Sequence, residues 1–348
     1  MIILEIKKKQ PENLAEKKQT NEISGQKDNS KIEKGSFAKM SQRFFRSRIG
    51  NALIPRLREL RFSLYLMSKS ATSIAGLVII GILVIVAAFP SIFAPPYNPL
   101  NPFQMPFDPT KGDPPGAPIP PGTDGYIFGT GEYGADIYYG IIWGAQISMV
   151  FSIEIIAISI AIGLVLGLLA GYKGGAIDEI VMRLTDVFLS VPSLVLVMAI
   201  AAVLGRNLES TKLALIMVWW SGYTRVIRGQ VLSIRENAYV DAARAAGASE
   251  TRIMFRHILP NSWAPMIVQA TMDMGSVVLV MAGLSYLGLG AEDGTTEWGK
   301  MIQEGQNYFI AGDWWMVLFP GLAILFFVLA FNLVGDGLRD ILDPKMRR

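Results

Sequence analysis

The sequence contains no cysteine and a single histidine, His257. The first absence excludes a disulfide framework, a thiolate metal site and a cysteine nucleophile, and the second excludes most histidine-based metal sites. Charge is scarce as well: 18% of the 348 residues are charged against 51% hydrophobic, a balance too apolar for an ordinary soluble protein. No Ser/His/Asp set and no paired carboxylates suited to a polar cleft are found, so the sequence offers no basis for an enzyme. No metal, no cofactor held by this chain and no nucleic-acid partner are expected.

What the chain has in their place is apolar length. A helix needs roughly 20 apolar residues to cross the hydrocarbon layer, and the first clear run, 74–93, carries no charge. Five more follow at 147–171, 187–204, 213–223 with its flanks, 266–289 and 314–333. The expected fold is therefore an all-α integral membrane protein with six transmembrane helices, and the lipid bilayer is its first partner. The run at 213–223 is short and its end is blurred by Ser221, Gly222, Tyr223 and Thr224. Without it, however, the polar loops on either side would face opposite sides of the membrane.

Basic residues orient the helices. With the N-terminus inside, all but four of the 32 Lys and Arg fall on the inner side. The deciding comparison is the 224–263 loop, which is richer in Lys and Arg than the outer loops 205–212 and 290–313. Both termini are thus expected in the cytoplasm and the long loop 94–146 outside. Residues 1–55 read as a disordered basic extension rather than a secretory signal, because the opening apolar run is too short. Residues 56–73 read as an amphipathic helix at the inner surface, and 74–348 as the transmembrane domain. The outer loop begins PPYNPLNPFQMPFDPT, too rich in proline for a helix or a central strand. Contact with something delivered from outside and a plain spacer role are equally compatible with it.

Two nucleotide-like motifs are set aside. Gly129, Gly131 and Gly134 form GxGxxG, with Glu154 at the distance of a ribose-binding acid, but Glu154 lies in an apolar run and no alternating strands surround the glycines. Gly294, Gly299 and Lys300 begin a phosphate-binding loop, yet Met301 stands where the magnesium-binding hydroxyl belongs. Two acids remain inside apolar runs. Glu154 and Asp273 are candidates to line a polar path, because an ionised carboxylate there is costly unless it is paired or faces water. For Glu154, an interhelical bond or a helix end is the more natural explanation.

The segment 239–261, YVDAARAAGASETRIMFRHILPN, is polar and interrupts these runs. Strong helix formers run from Asp241 to Ala246, Gly247 suits a left-handed C-terminal position, and Ser249 suits the N-cap of a second helix. That helix would place Ile253, Met254, His257 and Ile258 on one face and stop near Leu259, ahead of Pro260.

This segment resembles the EAA loop of ABC importer permeases, through Asp241, Ala242, Ala243, Gly247, Ile253, Leu259 and Pro260. The resemblance extends to GTGEYGADIYYGIIWGAQISM, LLAGYKGGAIDEIVMRLTDVFLSVPSL, LSYLGLG with TEWGKM, and LFPGLAILFFVLAFNLVGDGLRDILDPK, in order from about residue 60 to the end. Together they are similar to the C-type permease of the oligopeptide, dipeptide and nickel branch. The resemblance implies a type I importer permease fold with cytoplasmic coupling helices in the cell membrane of a prokaryote. It also implies a second, homologous permease completing the pore, an extracytoplasmic substrate-binding protein, and two cytoplasmic ATPase subunits that hold the ATP and magnesium. Asp241, Ala242, Ala243, Gly247, Ile253, His257, Leu259 and Pro260 would form the ATPase-coupling segment. Two departures stand out: Gly131 and Ala135 replace the usual Asp and Arg before the second helix, and Asp241 replaces the commoner Glu. The implied cargo is di- or oligopeptide, with oligosaccharides or nickel chelates as alternatives. An ATP-independent channel and a membrane enzyme are the readings from other classes.

Overall fold

Ala71–Ala88 (α1) shows how this chain builds a membrane-length element. Its 18 residues carry no charge, the Ser70 hydroxyl accepts the Ser73 amide at its start, and it ends just ahead of Pro90. At 1.5 Å per residue it is about 27 Å long, close to the thickness of a hydrocarbon core. The computed structural model describes residues 70–342. The extension 1–55, residues 56–69 of the expected surface helix and the last six residues lie outside that range, while 71–73 belong to α1.

The second helix, Ile137–Lys173 (α2), is 37 residues long and starts ten residues earlier than the apolar run indicates. The Asp136 carboxylate accepts the amides of Tyr138 and Tyr139 and so fixes the start. The proline-rich loop, expected at 94–146, accordingly ends at 136. The expected continuous span 187–204 is also corrected. Gly175–Ser190 (α3) and Ser193–Leu204 (α4) are bent by 91° at a break, because Val191 is extended ahead of Pro192 (φ −98°, ψ 137°). Leu208–Arg235 (α5) runs well past 223, so the first twelve residues of the expected 224–263 loop are helical. Ala238–Ala245 (α6), Trp263–Tyr286 (α7), Trp298–Phe309 (α8) and Trp315–Leu342 (α9) are the other described helices of eight residues or more.

Among the described residues there is no β-strand, only isolated bridges such as Gln104 with Thr295. Four helices, α1, α2, α7 and α9, are long and apolar enough to cross a membrane, and a fifth span arises if the bent pair α3–α4 counts as one. α5 is long enough, but Glu209, Lys212, Arg225, Arg228 and Arg235 interrupt it.

Small residues bring the helices together. Gly163, Gly167 and Gly171 form a stripe on α2, and a Cβ on them would lie 2.6 Å from Tyr223, 2.7 Å from the Thr224 carbonyl and 2.7 Å from Val231 of α5. Backbone approach of this kind is how helices associate where lipid removes the hydrophobic drive between them. The ascending register 163 to 223, 171 to 231 makes α2 and α5 parallel. By the same logic, Gly275 against Val328 and Gly335 against Met272 make α7 and α9 antiparallel. One end of the bundle therefore gathers the end of α5 with the 238–261 segment. The other gathers the starts of α2 and α9, α8 and the proline-rich loop.

Proline donates no hydrogen bond, so the carbonyls of that loop take donors from elsewhere. Tyr139 donates to the Pro102 carbonyl at 2.7 Å, Trp143 to Ala94 at 3.1 Å and Trp315 to Thr130 at 3.0 Å. The GxGxxG glycines belong to this packing. Gly129 has φ +76°, and a Cβ there would lie 2.5 Å from the Ile119 carbonyl, with no strand before it.

Candidate functional site

At the α5 end, the chain leaves α5 and makes a tight two-part hook. α6 is anchored by Val240, which is fully buried. Gly247 takes φ +79°, and the Ala248 amide bonds the Ala243 carbonyl at 3.1 Å while Gly247 bonds Arg244 at 3.0 Å. This pair of bonds is a Schellman ending, with glycine where no Cβ is tolerated cheaply. Ser249 then accepts the Arg252 amide at 3.4 Å. Ile253, Met254 and Ile258 are buried and His257 is half-buried, on the face that the spacing predicts.

The ending of the second helix differs from expectation. Glu250–Ile253 is α-helical, Met254–Ile258 is a π turn and Leu259–Asn261 a 3-10 turn. Leu259 stays in the helical region (φ −54°, ψ −46°), bonding the Met254 carbonyl five residues back. The widened turn makes room for the Pro260 ring, so helix and proline coexist. Ala242 is exposed and Ala243 half-buried, so the small size of Ala242 leaves an open outer face instead of a close contact between the two helices. Asp241 pairs with Arg244 at 2.8 Å on that surface. Phe255, 57% exposed, was not singled out from the sequence. The signal was available: the 253, 254, 257, 258 face leaves position 255 pointing away, and a large aromatic there has no packing reason to be present.

Charged side chains tie α5, which leads into the hook, to α3 and to the end of α2. Arg228 of α5 donates two bonds to Asp178 of α3, both at 2.6 Å, Arg235 donates to the Gly171 carbonyl at 2.9 Å, and Arg225 pairs with Asp186. These partners are the reason α5 continues as helix through a polar stretch. Asp178→Asn should remove the ionic half of a two-pronged, partly buried pair and lower stability by about 1–2 kcal/mol. Thermal unfolding of the purified chain in detergent checks this, and an unshifted midpoint would count against the clamp.

The two intramembrane acids are not brought together. Glu154 of α2 accepts Lys212 of α5 at 2.9 Å, and Lys212 also reaches Glu209 at 2.7 Å and lies over the Phe151 ring. Asp273 of α7 accepts Gln269 through both carboxylate oxygens at 3.2 and 3.3 Å, with Tyr223 and Trp219 of α5 facing it. Lys212 and Tyr223 are eleven residues apart, about 16 Å along α5. Glu154 is thus an interhelical ion-pair partner, while Asp273 is bonded to Gln269 of its own helix.

At the opposite end, α8, the proline-rich loop and the start of α9 border an open cavity of about 750 Å³. The helix start is closed to phosphate: the fully buried Glu297 carboxylate accepts the Gly299 and Lys300 amides at 3.0 and 2.9 Å, occupying the donors a phosphate would use. Burial lifts Glu297 and Glu304 above the ordinary 4.5. A raised carboxyl binds its proton more tightly when folded, so its stabilising share is complete below the unfolded value and is lost as pH rises through the folded one. Protection of residues 294–309 in hydrogen exchange, corrected for intrinsic rates, should therefore increase from pH 7 toward 5. A decrease would contradict the burial of these acids. Among the described residues no group of acids, histidines or cysteines is arranged to hold a metal.

Residues 163–348 match the family described as binding-protein-dependent transport system inner membrane component. The chain is 44% identical over 245 residues, 70% of its length and 82% of the relative's, to a probable D,D-dipeptide transport system permease protein of Escherichia coli. It is 39% identical over 282 residues, 81% of its length and 88% of the relative's, to a dipeptide transport system permease protein of Alkalihalophilus pseudofirmus. A di/tripeptide transport system permease protein of Pseudomonas aeruginosa shares 42% identity over 71% of this chain and 82% of its own.

Proposed function

This chain belongs to the binding-protein-dependent transport system inner membrane component family and is a permease subunit of a peptide ABC importer, and from that premise we propose how its two ends divide the work. The bundle is a type I importer permease in which α3–α4 and α5 supply the fifth and sixth crossings. Both termini and the 238–261 hook face the cytoplasm, and the proline-rich loop with α8 faces outward. A second, homologous permease completes the pore. Two ATPase subunits engage the hook, and an outer binding protein delivers peptide.

The observation that carries this reading is the hook itself. It combines a rigid Schellman turn at Gly247, buried anchors at Val240, Ile253 and Ile258, and an exposed outer face of Asp241, Ala242 and Phe255. A short element held at both ends transmits a rigid-body displacement instead of absorbing it. Small side chains on its outer face admit a close-fitting groove, and Phe255 is an anchor for a pocket within it. His257, Leu259 and Pro260 are half-buried, and their part is to hold the hook's shape. Asp273 is the acid best placed to face the translocation path, and Glu154 serves to lock α2 to α5. ATP hydrolysis belongs to the partner subunits, and this chain contributes no catalytic group.

The test is uptake into proteoliposomes containing this chain with its partner permease, ATPases and binding protein. ATP-dependent uptake of labelled dipeptide is expected. Uptake of oligosaccharide or nickel chelate alone would keep the mechanism and change the cargo, and dipeptide uptake without ATP would overturn the coupling reading.

A further inference from the structure

The cavity beside α8 has features that the coupling function does not use. Its volume, about 750 Å³, falls within the range of small-molecule sites. Methionines 105, 301 and 316 form apolar wall, while Glu132, Asp293, Lys300 and Glu304 contribute charge. Lys300 is the unusual member. Its side chain is only 7% exposed, yet its carboxylate partner Asp293 is 95% exposed. A buried ammonium needs a counter-charge, and this one is supplied by a side chain that stands in solvent. An arriving carboxylate can take that place without leaving any buried acid unpaired.

The rest of the wall has the opposite sign. Glu304 is fixed by accepting the Gly294 amide at 2.9 Å, and both Glu132 and Lys300 lie near enough to influence it electrostatically. Glu132 and Tyr308 both line the cavity. Lys300 and Glu304 are one turn apart on α8, about 6 Å along its axis, so a donor for an anion and an acceptor for a cation stand side by side next to the methionine surface. A short zwitterion with an apolar flank is complementary to that arrangement.

We infer that this cavity binds the termini of a short peptide, its ammonium between Glu132 and Glu304 and its carboxylate at Lys300 in place of Asp293. The site rests on the peptide-importer reading and would hold cargo on the delivery side before the path through the helices opens. The same ammonium chemistry is presented by a lysine of the binding protein, and the experiment separates the two sources.

The complete transporter in lipid nanodiscs, free of nucleotide and binding protein, is titrated with alanylalanine, its N-acetylated form and its C-amidated form by saturation-transfer NMR. Alanylalanine is expected to bind, and the N-acetylated form about tenfold more weakly. Glu304→Gln, which keeps an acceptor for the Gly294 amide, should weaken alanylalanine by about the same factor and leave the N-acetylated form unchanged. Lys300→Met should abolish the preference for the free acid over the amide. Equal binding of all three peptides, or no effect of Glu304→Gln on alanylalanine, would overturn the proposal. If Glu304→Gln weakens docking of the empty binding protein and leaves alanylalanine binding unchanged, the ammonium is a protein lysine and the peptide-terminus site falls. ATP-driven uptake that proceeds without any binding at the cavity would refute the cavity alone. Absence of ATP-driven uptake would refute the importer reading, whatever the cavity binds.

Discussion

Replacing Gly247 by leucine is expected to reduce ATP-driven peptide uptake to background while the protein still folds and inserts. The two halves of that expectation have separate causes. A Cβ at Gly247 meets nothing within 4 Å, so no clash disrupts the bundle. The backbone at φ +79°, however, costs an L-residue about 1–2 kcal/mol. That strain is relieved only by opening the Schellman turn, which shifts α6 against the buried Ile253–Ile258 side of the hook. A coupling element that has lost its fixed shape no longer passes on displacement. Gly247→Asn, which tolerates the left-handed region through local hydrogen bonding, should retain most of the uptake. Wild-type uptake by the leucine variant, with an unchanged melting temperature, would show that the hook's shape is not what couples.

Gly167→Leu should have the opposite signature, with the fold failing before function is ever tested. A Cβ at this position would sit 2.7 Å from the Thr224 carbonyl, 2.9 Å from the Ile227 Cβ and 3.1 Å from the Arg228 amide. Two of those three atoms are backbone, so no rotamer change relieves the contact, and α2 and α5 must separate. Overpacking of this kind costs about 1–3 kcal/mol at a single site. Here it also strains the neighbouring contacts of Gly163 and Gly171 on the same stripe, together with the Glu154–Lys212 pair. The control is Gly229→Leu on α5, whose Cβ meets nothing within 4 Å. The amount of monodisperse protein recovered from membranes, compared for the two variants, decides the matter. Equal recovery would mean that the glycine stripe is not what joins these helices.

Features of the chain differ in how far sequence alone reveals them, and the difference follows the range of the interactions involved. The hook was legible because its signals are local. A glycine after a helical run, a serine two residues later and an apolar 253, 254, 257, 258 face each act within a few residues. The break at Pro192 was equally local but was overlooked, because the apolar runs on either side outweighed one proline. The continuation of α5 was not legible from composition. Arg225, Arg228 and Arg235 read as the start of a polar loop until their partners appear, and those lie 39, 50 and 64 residues away.

The two intramembrane acids separate along the same line. Both stand out in sequence as charges in apolar runs. Only the folded helices distinguish Glu154, held by Lys212, from Asp273, which finds only an amide donor from its own helix and the polar edges of Tyr223 and Trp219. The cavity beside α8 is the extreme case. Its walls come from residues 104–137 and 293–316, and no spacing rule links them.

By itself, the sequence determined that this protein is helical and membrane-embedded, that a polar hook interrupts its apolar runs, and that cysteine chemistry has no part in its activity. Those outcomes depend on composition, hydropathy and backbone preferences, all of which act within one element. The tertiary structure alone decided how far α5 continues, which charge is neutralised by which, and that Lys300 and Glu304 border one space with Glu132. These depend on contacts between distant segments, whose energies exist only once close glycine packing has brought the helices together.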